Sequence, residues 1–502
     1  MKRAATALAL AATLAAAPPK VVAEPRPAAE VMAQREEAKD AGQAAIEALK
    51  NGDRAEAVRL LREQARLDPA NFVPHYNLAC VLGAMNELEP AQASLSRAVE
   101  LGFASHSTLT TDPDLTPLRD TPLYHALIEK WPLVLEARRQ AALAATREWM
   151  TSKPREHALD DLRLDVLSTL DGHATERALE SITAATEWIT TSLIPELVNG
   201  DATNDPWAEV ILLEDDDFHA WLVRTFGPTA GRRGVSYIGG AYEHDRKRLV
   251  AQDVGATLRH ELFHVLHTRH TERLGQRHPI WIQEGLASLL EDMDPHGAGW
   301  VPVPSYRTNI VKRLAGWNRL TPIDEIVALD QRTFVSDKPL RRYAEARGLF
   351  MYLLERGLLR WWYETYTTDP EHGYDADQTG LRAITHVTGQ NLETFEIAWK
   401  DWAENTLPMV AEEIRDVDVW LGLDVNSGTG DGPRVQRVER AVRRESDIRI
   451  GDVILAIDGR PTGDLRELAR ILGTLRAGQN VTISYRRGRL TGDTQATVLD
   501  KD

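Results

Sequence analysis

Asp253-Val254-Gly255-Ala256-Thr257-Leu258-Arg259-His260-Glu261-Leu262-Phe263-His264-Val265-Leu266-His267 reads as a helix, with Asp253 as its N-cap and apolar residues at helical spacing. It contains the pattern H-E-x-x-H. On a helix, His260 and His264 lie one turn apart on one face, so both imidazoles reach one ion and Glu261 leans toward the same place. A third ligand is offered by Pro279-Ile280-Trp281-Ile282-Gln283-Glu284-Gly285-Leu286-Ala287, where Pro279 opens a second helix and Glu284 follows His264 after nineteen intervening residues. The rival is His270. If the first helix simply continues, His270 sits about 15 Å along the axis from His260, and His267 about 10 Å, both too far for a shared ion. A third histidine ligand also needs a glycine to bend the chain back, and His267 stands at that place. Zinc suits two neutral imidazoles plus a carboxylate and keeps a fourth position for water. The expectation is one Zn2+ per chain on His260, His264 and Glu284, with Glu261 as general base and His270 as the alternative third ligand.

His260-Glu261-Leu262-Phe263-His264 together with Trp281-Ile282-Gln283-Glu284-Gly285-Leu286-Ala287 resembles the gluzincin metallopeptidases, in particular the W-x-x-E-G-x-A form of aminopeptidase-type members. The likeness covers about residues 150–405. It implies a thermolysin-like catalytic domain: an upstream twisted sheet whose edge strand pairs with substrate, two motif helices, and a helical lower lobe. Val235-Ser236-Tyr237-Ile238 and Arg248-Leu249-Val250 read as strands of that sheet, around a polar turn at residues 243–246. The resemblance also implies an oxyanion-stabilising tyrosine about sixty residues after the glutamate ligand, where Tyr343 lies. The other reading of Tyr343 is an aromatic packing against the motif helices. Gly240-Ala241-Tyr242-Glu243-His244 echoes the exopeptidase G-x-M-E-N element, but Tyr242 and His244 replace its Met and Asn and it lies too close to His260, so aminopeptidase specificity is not inferred. Ser288 stands where thermolysin-like members carry the aspartate that orients an imidazole, which leaves that role unassigned.

Outward from this centre, 502 residues predict about three domains. A formal charge of −16, with no basic block, makes nucleic acid and anionic membranes poor partners. Lys2 and Arg3 precede an Ala/Leu-rich run to Ala17, as in a secretory signal, and cleavage after Ala23 takes the charge to −19 by removing three cations. The protein is therefore expected to be exported, periplasmic or extracellular, with no membrane span after cleavage. Cys80 is the only cysteine, which rules out an intrachain disulfide and a lipidated cysteine at the cleavage site, and it reads as structural. Residues 24–39 are Pro/Ala/Glu-rich and are expected to be a linker.

Between residues 40 and 131 the helical pattern repeats every 34 residues, pairing Ala48 with Leu82, Ala57 with Ala91, and Leu61 with Leu95, a period that resembles tetratricopeptide repeats. Such a stack offers a concave groove to a protein partner, or serves as a spacer for the next domain. The span 416–500 alternates apolar residues with Gly-rich turns, and Gly451-Asp452-Val453-Ile454-Leu455-Ala456-Ile457-Asp458-Gly459 is similar to the core of bacterial PDZ modules. That likeness implies a carboxylate-binding loop at Leu421-Gly422-Leu423, with a peptide C-terminus added as a strand.

The expected fold class is multidomain, mostly α with α+β parts: a tetratricopeptide-like stack at 40–131, a thermolysin-like α+β domain at 140–410 and a small β-rich PDZ-like domain at 416–500. The function this implies is an exported zinc metallopeptidase acting on peptides or proteins, endo- or exo-cleavage undecided. The alternative is a non-catalytic scaffold that binds peptides through its repeat and PDZ-like modules. His219, His244, His278 and His296 read as surface or loop residues, His267 and His270 as the end of the motif helix, and Trp361-Trp362-Tyr363 with Tyr366 as lower-lobe core.

Overall fold

The computed structural model describes residues 28–199, 204–226, 239–252, 255–297, 299–426, 432–488 and 490–501. The signal at 1–23, the strand Val235–Ile238 and the cap residue Asp253 lie outside the described residues. Apolar cores spanning Ala45 to Leu135, Leu164 to Leu407 and Val417 to Val498 divide the chain into three units, the central one holding a second, smaller cluster around Phe218 and Trp221.

The first unit is helical. It begins with α1 (Ala28–Lys50), α2 (Arg54–Leu67), α3 (Val73–Ala84) and α4 (Leu88–Glu100), joined by short turns. The expected linker at 24–39 is corrected here, because α1 already runs through residues 28–39. Ala, Glu, Met, Gln and Arg fill that stretch and are strong helix formers, and proline stops only at Pro27. Asp53 caps α2 by accepting the Glu56 N–H at 3.0 Å. Positions 34 residues apart share their environment: Ala57 and Ala91 are fully buried, as are Leu61 and Leu95. Burial pushes the Cys80 thiol up to about 12, so it stays protonated and inert. A longer helix, α5 (Trp131–Trp149), closes the unit and ties it to the next one. Arg139 makes a paired contact to Asp165 at 2.7 and 2.8 Å and lies 3.4 Å over the Trp207 ring.

The central unit opens with a five-stranded sheet. Its strands are β1 (Arg155–Leu159), β2 (Leu164–Ser168), β3 (Ala208–Leu212), β4 (Gly240–Glu243) and β5 (Arg248–Ala251), in the order β1-β2-β3-β5-β4. β2, β3 and β5 run parallel, while β1 and β4 are antiparallel edges. The central strands are buried along their whole length because helices cover the sheet, among them α6 (Gly172–Ser192) and α7 (Ala256–Leu274), and the charged Asp165, Glu209 and Arg248 are buried within them. Edge strand β4 lies tight against the first turn of α7 at Gly240. A Cβ there would meet the Val250 carbonyl oxygen at 2.4 Å and Thr257 Cγ2 at 2.9 Å.

Next come α8 (Ile280–Leu289) and the hairpin β6 (Met293–His296) and β7 (Gly299–Pro302). The lower lobe follows, including α9 (Tyr306–Gly316) and α10 (Pro339–Glu355). Its centre is aromatic: Trp281 stacks on Phe350 at 5.0 Å, and Trp362 on Tyr366 at 5.5 Å. Tyr363 is also buried, whereas Trp361 is exposed.

The third unit is a sheet of β8 (Leu423–Asn426), β9 (Arg434–Val438), β10 (Val453–Ile457), β11 (Asn480–Arg487) and β12 (Leu490–Thr497), crossed by helix α11 (Leu465–Leu472). Asp464 caps α11 by accepting the N–H groups of Arg466 and Glu467. Among the described residues no helix is long and apolar enough to cross a membrane.

Candidate metal centre

His260 and His264 project from one face of α7, and Glu284 meets them from the middle of α8. The two helices are held together by Arg259, whose guanidinium donates to the carbonyls of Leu290 at 2.7 Å and Glu291 at 2.5 Å. Gly285 allows α8 to approach α10, since a Cβ there would meet the Phe350 ring at 2.7 Å. Together these contacts bring two imidazoles and a carboxylate to one point.

The Nε2 atoms of His260 and His264 are 3.2 Å apart, and Glu284 Oε2 is 3.1 Å from the first and 3.5 Å from the second. A tetrahedral ion with ligand bonds of about 2.0–2.1 Å has ligand–ligand edges of about 3.3 Å. The triangle therefore has the dimensions of one tetrahedral face around zinc, and the donor set of two nitrogens and one oxygen suits that ion. Among the described residues this is the one group of three or more metal-ligating side chains with ligand atoms all within 4.8 Å of one another.

His260 carries a second carboxylate. Its Nδ1 lies 2.9 Å from Glu291, which Arg307 clamps with bonds of 2.5 and 2.9 Å. A hydrogen bond from Nδ1 to this carboxylate turns the Nε2 lone pair toward Glu284, the tautomer a metal ligand needs. Burial works against the His260 imidazolium, yet the flanking Glu284 and Glu291 raise its pKa to about 10. Burial likewise disfavours the Glu284 carboxylate, but the adjacent imidazoles hold it well below the usual range. For Glu291, Arg307 and His260 overcome burial and bring it down to about 2. Two ionised carboxylates around a buried imidazole pair favour positive charge between them, which a divalent cation supplies.

Glu261 and Tyr343 line the same cleft, of about 460 Å³, beside His260. The Tyr343 ring centroid is 6.3 Å from that of His260. Burial, then the nearby Glu284, pushes the Tyr343 phenol above its ordinary value, so it remains a donor at neutral pH. Gly239 and Gly240 bring the end of edge strand β4 to the cleft mouth.

Leu421, Gly422 and Leu423 are elsewhere, at the entry to β8. Leu421 and Leu423 are buried, and Gly422 has a φ of +65° with Val442 2.5 Å from where a Cβ would stand.

Three histidine readings are corrected. His267, His270 and His278 are buried rather than terminal or exposed, because α7 continues to Leu274 and the connection to α8 folds back, so that all three pack against Tyr363. His267 Nε2 and His278 Nδ1 share a hydrogen bond of 2.9 Å, and burial lowers the pKa of all three, so they are neutral core residues. Glu291 was missed by sequence reasoning. No periodic signal pointed to it, because α8 ends at Leu289 and Glu291 lies past the helix.

Residues 419–498 match the family model of the PDZ domain, and the chain carries a PDZ domain there. Among solved structures, the HtrA-type protease AlgW with a decapeptide is similar over 22% of this chain and 35% of that chain, at 22% identity and a TM-score of 0.16. This chain thus spans about a third of the length of that protease. An aminopeptidase N family protein from Idiomarina loihiensis is similar over 70% of this chain and 67% of that chain, at 14% identity and a TM-score of 0.29. No curated protein matches. Likenesses of this size are too slight to assign a function, which has to come from the residues of the site.

Proposed function

We propose that this chain is an exported zinc metallopeptidase of gluzincin type, in which His260, His264 and Glu284 hold one Zn2+ and Glu261 is the general base. The observation that carries this reading is the triangle of ligand atoms with tetrahedral edge lengths, beside a glutamate in an open cleft. Bound zinc supplies Lewis acidity toward a water molecule and the substrate carbonyl. The residues of the chain do the rest. Glu261 takes the proton of the attacking water and passes it to the leaving amine. Tyr343, kept protonated by its surroundings, donates to the oxyanion that develops on the carbonyl. Glu291 and Arg307 hold His260 in its working tautomer. An extended peptide adds beside edge strand β4, and Leu421-Gly422-Leu423 offer a separate site for a peptide C-terminus. The helical unit at 40–131 is read as a tetratricopeptide-like adaptor.

The test compares the wild type with Glu261→Gln on a fluorogenic peptide library, with zinc content measured on both. A peptidase loses turnover and keeps zinc in the variant. A wild type that holds zinc but cleaves nothing would instead favour the scaffold.

A further inference from the structure

The PDZ domain does not hang free of the central unit. Asp294 in β6 receives Arg470 from α11 at 2.9 Å on each oxygen, and Arg460 at 3.0 Å. The Arg177 guanidinium donates to the Leu455 carbonyl at 3.0 Å. These contacts set the N-terminal half of α11 across the cleft from the motif helix, and Asp464, Arg466, Glu467 and Arg470 line the cleft that also contains His260 and Glu261.

The charges on that wall are not equivalent. Arg470 is neutralised by Asp294, and Arg307 on the opposite side by Glu291. Asp464 is engaged as the helix cap. Burial pushes the Glu467 carboxyl up to about 8, so it is mostly uncharged at neutral pH. Arg466 differs from all of these. It is exposed, its guanidinium lies 4.6 Å over the Tyr306 ring, and it has no salt-bridge partner among the described residues. From Tyr306 the contacts continue through Arg307, which is 5.3 Å from the Tyr343 ring, to His260. That path keeps the Arg466 cation within about seven extended residues of His260, at roughly 3.3 Å per residue.

We propose that Arg466, presented to the cleft by the PDZ helix, is a specificity-determining residue that binds a carboxylate of the peptide substrate. This rests on the peptidase reading above. A guanidinium placed over an aromatic ring leaves its planar N–H fork for a carboxylate, and the fork matches two oxygens at once. The carboxylate comes either from an Asp or Glu side chain near the scissile bond or from the free C-terminus.

The experiment uses the full zinc-loaded chain and a neutral fluorogenic peptide in which one Glu, Gln or Lys is walked through about seven positions on each side of the cut, each made as free acid and as amide. The wild type is expected to favour one carboxylate-bearing peptide over its neutral twin about tenfold in kcat/KM, mainly through KM. Arg466→Ala brings that ratio close to one, Arg466→Lys restores part of it, and Arg466→Glu reverses it toward a Lys-bearing peptide. A preference that follows the Glu position identifies a side chain, whereas one that follows acid over amide identifies the terminus. A ratio unchanged in Arg466→Ala overturns the proposal and leaves the peptidase reading standing. The same peptide pairs are measured by fluorescence anisotropy on the zinc-loaded Glu261→Gln chain. If the wild type cleaves nothing, the peptidase reading falls, and binding discrimination lost in a Glu261→Gln, Arg466→Ala double variant still assigns the carboxylate site. Equal binding of both twins overturns it.

Discussion

His260 has a carboxylate at each ring nitrogen, and the division of labour between them follows from what holds each one. Glu291 is clamped by Arg307 and takes the Nδ1 side, so Nε2 is left facing Glu284 and His264. Replacing Glu291 with alanine removes the group that fixes the tautomer. The expected result is a zinc affinity about 10–100-fold weaker, read by competition with a chelating dye, with the fold retained. Tyr343→Phe deletes a donor and leaves the ring packed, so kcat is expected to fall about 100–1000-fold while zinc content stays unchanged. The ligand triangle was legible in the sequence because its parts are local: one helical turn separates the histidines, and a short connection brings in the second helix. The partner of His260 was not. The search stopped at Ser288, whose hydroxyl is spent on the Glu284 carbonyl at 2.6 Å, whereas Glu291 lies beyond the last residue of α8, where helical periodicity stops being a guide.

Among the elements, α8 bears the tightest constraint. Gly285 sits beside Glu284 and under the Phe350 ring, which Trp281 stacks from the same helix. Gly285→Ala has to push α8 away from α10. The expected cost is about 1–3 kcal/mol in chemical unfolding, together with weaker zinc binding as Glu284 moves with the helix. Periodicity marked α7 and α8 correctly as helices. It failed at residues 28–39, where Pro25 and Pro27 just upstream and a run of charges drew attention from a stretch of strong helix formers. It also failed at the end of α7, where His267 and His270 looked like terminal cations and are core groups kept neutral by burial.

At the scale of the whole molecule, the decisive feature is the placement of the PDZ domain against the cleft. It depends on ion pairs such as Arg470–Asp294, whose partners are 176 residues apart, and no local pattern in the chain announces them. Glu467 lies in this interface. Its Oε2 accepts the Gly463 N–H at 2.6 Å, and its Oε1 is 4.0 Å from the Arg259 guanidinium, which itself secures the motif helices. Its pKa rises from 4.5 to about 8 on folding, so between these values the folded chain binds the extra proton. The stability contribution is fully present below pH 4.5 and is lost as pH rises through about 8. Thermal stability of the wild type is therefore expected to fall between about pH 4.5 and 8, and Glu467→Gln to flatten that decline. Equal slopes in the two proteins would remove Glu467 from the account. The measurement that bears most directly on the central claim is metal content by mass spectrometry on the chain purified without chelators, beside Glu284→Ala. The account predicts close to one zinc per wild-type chain and a large loss in the variant. Zinc fully retained by Glu284→Ala, or none in the wild type, would contradict it.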